Sequence, residues 1–239
     1  MSSRGDHFNK KSVAQHLATA RHKGAVAIAE FHGLELSGTF FSFFDSLRDS
    51  AVISALCLLI LPWQSALIIA LCFSVWKALR SALWGWNRLD RLHRLIEEER
   101  FEIEHNREQE KTELIEMYQA KGFKPPLLDQ VVSTLMSDDN RLLQVMLEEE
   151  LGLRTEIVDH PLRQSLSAFL GSCVAAILLF GSYFIVSWSI WVSFFVLFLV
   201  ASLAISRKLN IQVMNATIWT LSCGAFVLLI AQFAKKWIS

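Results

Sequence analysis

Five apolar stretches constrain this 239-residue chain more than anything else in it. They run over residues 38–61, 66–86, 164–187, 189–206 and 216–233. A helix needs about 20 mainly apolar residues to cross a hydrocarbon core of roughly 30 Å. Lipid offers the backbone no hydrogen-bond partners, so spanning segments are helices or closed barrels. Runs of this length read as helices, and the expected fold class is all-α, a polytopic membrane protein with five transmembrane helices. The composition agrees: 53% of the residues are hydrophobic and mean hydropathy is +0.36, more than an ordinary soluble domain carries.

The first two spans carry charges. Asp45, Arg48 and Asp49 lie within the first, where each charge at membrane depth costs about 2.5–3.5 kcal/mol on insertion scales. Arg48 follows Asp45 by one helical turn, so the two can pair. Lys77 and Arg80 lie in the second half of span two and are expected to snorkel towards the cytoplasmic face. Pro62-Trp63-Gln64-Ser65 reads as the turn between the spans. No breaker follows Trp86, so span two is expected to continue as one long helix past Glu99. In span three, Gly171, Ser172, Ala175, Ala176 and Gly181 are small enough for close helix contact.

The chain divides by composition into four parts. Residues 1–38 read as a basic, amphipathic N-terminal segment whose Lys10, Lys11, Arg21 and Lys23 suit either an anionic lipid surface or a plain solvated helix. It has no apolar h-region with a cleavage site, so no signal peptide is expected. Residues 39–87 hold transmembrane helices one and two, 88–160 an acidic helical insert, and 161–239 transmembrane helices three to five. Lys and Arg in short loops set orientation. The basic N-terminus, the charged insert and Arg207-Lys208 fall on one side, which makes the N-terminus and the insert cytoplasmic. Lys235-Lys236 falls on the other side, against the rule. Cys57, Cys72, Cys173 and Cys223 all lie in apolar runs and form no CxxC pair, so they read as span residues rather than disulfides or zinc ligands.

The insert carries most of the glutamates, and it reads as three helices with a short linking helix. The first continues span two to about His105. A break near Asn106 starts the second, which ends at Gly122 before Pro125-Pro126. Residues 127–136 form the link, and Ser137-Asp138-Asp139-Asn140 offers caps for the last helix, expected to end at Gly152. Glu102 and His105 stand at i, i+3, as do Glu113 and Glu116, while Met146 and Glu150 stand at i, i+4. Each pair shares a helix face, and a fold at Asn106 can bring the first two together. Carboxylates with one imidazole and one thioether suit Fe²⁺ or Mn²⁺ better than Ca²⁺. Runs such as Glu97-Glu98-Glu99 and Glu148-Glu149-Glu150 are more often solvated helix faces, so spacing alone leaves both readings open.

This arrangement resembles the vacuolar iron transporter family of Fe²⁺ and Mn²⁺ transporters. The stretches that carry the resemblance are EHNREQEKTELIEMYQAKGF and VMLEEELGL, set between two spans and three. The resemblance implies metal-binding glutamates at Glu102, Glu113, Glu116 and Glu150, with a methionine at Met146. A family glutamate falls on His105. It implies an ion path at Asp49, with Asp45 as a second candidate. Where the family's second span has a glutamate and a methionine, this chain has Ser74 and Ala82, and Gly85-Trp86-Asn87 replaces a Gly-Glu-Tyr motif.

The expected function is therefore a divalent metal transporter, Fe²⁺ first and Mn²⁺ second. The resemblance implies proton coupling and a homodimer. The alternative is a membrane-anchored metal-binding or scaffold protein that does not transport. The bound or transported metal and the lipid bilayer are the expected partners. No cofactor is expected. Zero formal net charge gives no global field for nucleic acid. No nucleophile–base arrangement or nucleotide loop points to an enzyme.

Overall fold

The computed structural model describes residues 38–150, 159–186 and 188–238, together with Gln15, Ala18 and Thr19. Apart from those three positions, the expected amphipathic helix over 12–35 lies outside the described residues, as does the expected helix end at Gly152. The described chain is helical, with no strand. In order it comprises α1 (Thr39–Ile60), α2 (Trp63–His105), α3 (Arg107–Ala120), α4 (Leu127–Met136), α5 (Asp139–Glu149), α6 (Pro161–Ile185), α7 (Ser189–Leu209) and α8 (Val213–Ile238). The expected long helix is α2, which runs unbroken through Glu99 and stops at His105. The chain separates into two units, one containing residues 87–150 and the other residues 38–86 and 159–238.

The second unit is built on the pairing of α1 with α6. Ser42, Ser46, Ser50 and Ser54 recur every fourth residue along α1, and all are buried. Ala51 and Ala55 lie beside them. On α6, Gly171, Ser172, Ala175 and Ala176 are buried. Small side chains on both helices let the backbones approach. At Gly171 the approach is so close that an added Cβ would lie 2.2 Å from the Phe43 carbonyl oxygen. Gly181, by contrast, is exposed with open space around it, so the expected contact stripe ends one turn earlier. Hydroxyls tie the helices together: Ser42 donates to the Gln164 carbonyl at 3.1 Å, and Ser165 donates to the Ala78 carbonyl at 2.7 Å. The amide of Thr39, at the start of α1, donates to the Asp159 carboxylate at 2.8 Å. An anion there also suits the positive end of the helix dipole. α7 and α8 complete the unit, with Phe194 and Phe198 stacked 4.4 Å apart against the backbone of Gly224.

Among the described residues, four helices are long and apolar enough to cross a membrane: α2, α6, α7 and α8. α1 has 22 residues, but it carries Asp45, Arg48 and Asp49. Large apolar side chains point outward along these helices, including Ile68, Trp76, Leu79, Leu83, Ile177 and Trp219. Continuous outward apolar surface of this extent suits hydrocarbon rather than water.

The insert unit has its own core. Ile103 of α2, Leu114 and Met117 of α3, Leu128 and Val132 of α4, and Leu142, Met146 and Leu147 of α5 are buried together. Fully burying one such side chain stabilises by roughly 1.5–3 kcal/mol. The helix ends follow from local chemistry. Gly122, with φ +91°, takes the left-handed conformation that stops α3. Its amide donates to Gln119, the Phe123 amide donates to Tyr118, and the two aromatic rings meet at 5.3 Å. That is a Schellman stop with its apolar contact. Asp138 caps α5 by accepting from the amides of Asn140 and Arg141. Arg107 at the start of α3 donates to Asp139 at 2.7 Å and to the Met136 carbonyl at 2.6 Å, tying that end to the turn before α5.

Candidate metal centre

Three helices of the insert bring carboxylates into this core. Glu99 comes from α2, Glu110 from α3 and Glu150 from the C-terminal end of α5. All three are buried, and an oxygen of each lies within 4.8 Å of the others. Glu113, one turn after Glu110, is also fully buried, and Glu102, one turn after Glu99, is half-buried. One carboxylate oxygen of Glu99, Oε1, is buried and accepts no hydrogen bond among the described residues.

Carboxylates gathered this closely resist ionising together. Burial alone disfavours the ionised form, and neighbouring carboxylates disfavour it further. At Glu99 burial is the larger cause, followed by Glu150, Glu110, Glu102 and Glu113, and together they push its carboxyl up to about 10. At neutral pH the folded cluster therefore keeps a proton at Glu99.

The expected ligands are distributed across this geometry as follows. Glu150 is a member of the three-carboxylate group. Glu113 and Glu102 act on Glu99 electrostatically. Met146 is fully buried among apolar side chains, one turn before Glu150, and its carbonyl accepts from the Glu150 amide at 2.9 Å. His105 is exposed, stacks on Phe101 at 3.9 Å, and donates through Nδ1 to the Phe101 carbonyl. Glu116 is exposed on the outer side of α3.

Glu99 and Glu110 were not among the expected ligands. The core residues mark them. Glu99 precedes Ile103 by four residues, Glu110 precedes Leu114 by four, and Glu113 precedes Met117 by four. Residues four apart share a helix face, so each of these glutamates lies on the stripe that faces inward.

The helices α1 and α2 hold a second charged group. Lys77 Nζ lies 2.8 Å from Asp49 Oδ2 and 3.1 Å from Asp45 Oδ2. Arg48 donates to the other Asp45 oxygen at 3.0 Å, the one-turn pair expected from the sequence. Lys77 does not snorkel outward as expected. Its side chain is 5% exposed, because two carboxylates on the neighbouring helix satisfy the ammonium inside the unit. A small cavity adjoins this group, lined by Phe41, Ser42, Asp45, Ser46, Lys77, Arg80, Ser81 and Gln164.

The model of the VIT family matches residues 87–235. The chain belongs to the VIT family. No curated protein matches it. The VIT match takes in every carboxylate of the buried cluster and the apolar helices α6 to α8. VIT proteins are membrane metal-ion transporters, and the apolar helices make this chain an integral, multi-pass membrane protein. The match begins at Asn87, so Asp45, Asp49 and Lys77 precede the region in which this chain follows the VIT pattern.

Proposed function

We propose that this VIT protein carries divalent metal, Fe²⁺ first and Mn²⁺ second, across its membrane in exchange for protons. In this reading α1 makes the fifth crossing, the N-terminus and the insert are cytoplasmic, and two copies form the transporter. The insert captures metal at Glu99, Glu110 and Glu150, with Glu102 and Glu113 beside them. Asp49 and Asp45 pass the ion through the bilayer.

The observation that carries this reading is the convergence of three buried carboxylates from three helices, with oxygens within 4.8 Å. Carboxylates buried this close repel one another, and a divalent cation among them would relieve that repulsion. Oxygen donors suit hard divalent ions. Family membership supports iron-type cargo. The proton held at Glu99 supports exchange, because a metal ion entering the cluster expels it.

The test uses the full chain in sealed proteoliposomes. Mn²⁺ entry is followed by a trapped metal-quenched dye and proton movement by a trapped pH dye. Uptake with opposite proton movement, lost in Glu110→Gln, is the expected result. Absence of both Mn²⁺ binding and flux would sink the reading. Binding without flux would favour the second reading, a membrane-anchored metal-binding protein. The buried Lys77 between Asp45 and Asp49 is the observation on that side.

A further inference from the structure

We propose that Lys77 is a tethered cation that occupies the cation position between Asp45 and Asp49 and sets the metal affinity of the apolar-helix unit. This rests on reading those aspartates as part of the ion path.

Lys77 Nζ touches one oxygen of each carboxylate, at 2.8 and 3.1 Å. Those are charge-assisted hydrogen-bond distances, and the two oxygens converge on one point from successive turns of α1. The ammonium thus takes the place a bound metal ion would need. Arg48 engages the remaining oxygen of Asp45. Asp45 and Asp49 face Lys77 and Arg48, and Arg80 lines the adjoining cavity, so the group carries no net negative charge as it stands. A divalent ion arriving there meets no net attraction and strong repulsion from an ammonium at contact distance. It binds only if Nζ leaves.

Lys77 is built to leave. An ammonium on a four-carbon stem is a movable point charge, unlike a guanidinium fixed by its planar fork. The adjoining cavity is lined by the Ser42 and Ser81 hydroxyls, 3.1 Å apart, and also by the Arg80 side chain. The α1–α2 charge group lies before the stretch matched by the VIT family.

The experiment uses the full chain in detergent, with Glu99, Glu110 and Glu150 all changed to Gln so that Mn²⁺ binding reports the apolar helices. Free Mn²⁺ is measured by its electron paramagnetic resonance signal. Lys77→Met is expected to raise Mn²⁺ affinity on the order of tenfold or more. Adding Asp49→Asn should erase the gain, and Lys77→Arg, whose guanidinium does not leave as an ammonium can, should bind no better than the parent. Lys77→Gln keeps a donor to Asp49 and serves if Lys77→Met does not fold. Unchanged affinity in both neutral variants overturns the proposal.

A second measurement needs no substitution at Lys77. In the otherwise unmodified chain, saturating Mn²⁺ should speed labelling of Lys77 by a small membrane-permeant amine reagent, read by mass spectrometry. Unchanged labelling overturns the proposal. Flux separates this failure from failure of the path itself. If Asp49→Asn abolishes flux while the Lys77 variants leave affinity unchanged, the path stands and the tethered cation falls. If Asp49→Asn leaves flux intact, the path falls and takes this inference with it.

Discussion

Glu99 and Glu150, on different helices of the insert, bury carboxylate oxygens within 4.8 Å of each other. Their proximity sets a pH dependence. Glu99 titrates near 10 in the folded chain, against 4.5 for an ordinary glutamate. Between those values the folded chain keeps a proton that the unfolded chain has lost. Folding then takes up a proton, and stability falls as pH rises. The expected slope in metal-free protein approaches about 1.4 kcal/mol per pH unit for one linked proton. Saturating Mn²⁺ should flatten it, because the metal replaces the proton. Thermal unfolding of the full chain at a series of pH values, with and without Mn²⁺, measures both. Metal-free stability that rises across this range would contradict the assignment.

Substitutions separate the buried carboxylates from the exposed candidates. Glu99→Gln resembles the protonated carboxyl in shape and adds an amide donor facing Glu110 and Glu150. Metal-free stability should rise, by up to about 1.4 kcal/mol for each pH unit above 4.5 at which it is measured, because Gln has no linked proton, while the thermal shift caused by Mn²⁺ should vanish. Glu110→Gln should also remove that shift. His105→Ala and Glu116→Gln, both at exposed positions, should leave it within error. A Mn²⁺ shift that survives Glu99→Gln but disappears in His105→Ala would reverse the ligand assignment.

The sequence made the helix boundaries legible, because local chemistry sets them. The break at Asn106, the Gly122 stop and the Asp138 cap can each be read from a few neighbouring residues, and each is present. The inward face of the insert helices was harder to read. Glutamates occupy several faces of α2 and α3, so carboxylate spacing fits more than one rotation. Ile103, Leu114 and Met117 fix the rotation through contacts with α4 and α5, which no single-helix pattern contains. Lys77 presents the same difficulty. Snorkelling is the solution available to a helix alone, and the ion pairs with Asp45 and Asp49 depend on packing against α1.

Met146 tests packing beside the site. It is fully buried with Ile103, Leu114 and Leu142 around the carboxylate cluster. Met146→Ala should cost about 2–5 kcal/mol, the range for a core truncation that leaves a cavity. Met146→Leu nearly conserves volume and should cost less than about 1.5 kcal/mol. Chemical unfolding of the metal-free chain reads both. Equal losses in the two variants would show that the thioether, rather than its volume, holds the core. Comparing Fe²⁺ with Mn²⁺ binding in Met146→Leu then asks whether the sulfur also favours the softer ion.

Gly171 tests the pairing on which the apolar unit is built. A Cβ there would sit 2.2 Å from the Phe43 carbonyl oxygen and 3.0 Å from its carbon. Both are backbone atoms of α1, so no side chain can turn aside to relieve the clash. Gly171→Ala must therefore push α1 and α6 apart, at an expected cost of about 1–3 kcal/mol or more. Gly181→Ala is the control on the same helix. Its Cβ meets open space, and replacing glycine by alanine inside a helix contributes up to about 1 kcal/mol of stability. Thermal unfolding in detergent should therefore move the two variants in opposite directions. Because α1 also carries Asp45 and Asp49, Gly171→Ala should disturb the Lys77 ion pairs as well. A Gly171→Ala variant as stable as the parent would mean that α1 and α6 do not approach as closely as described.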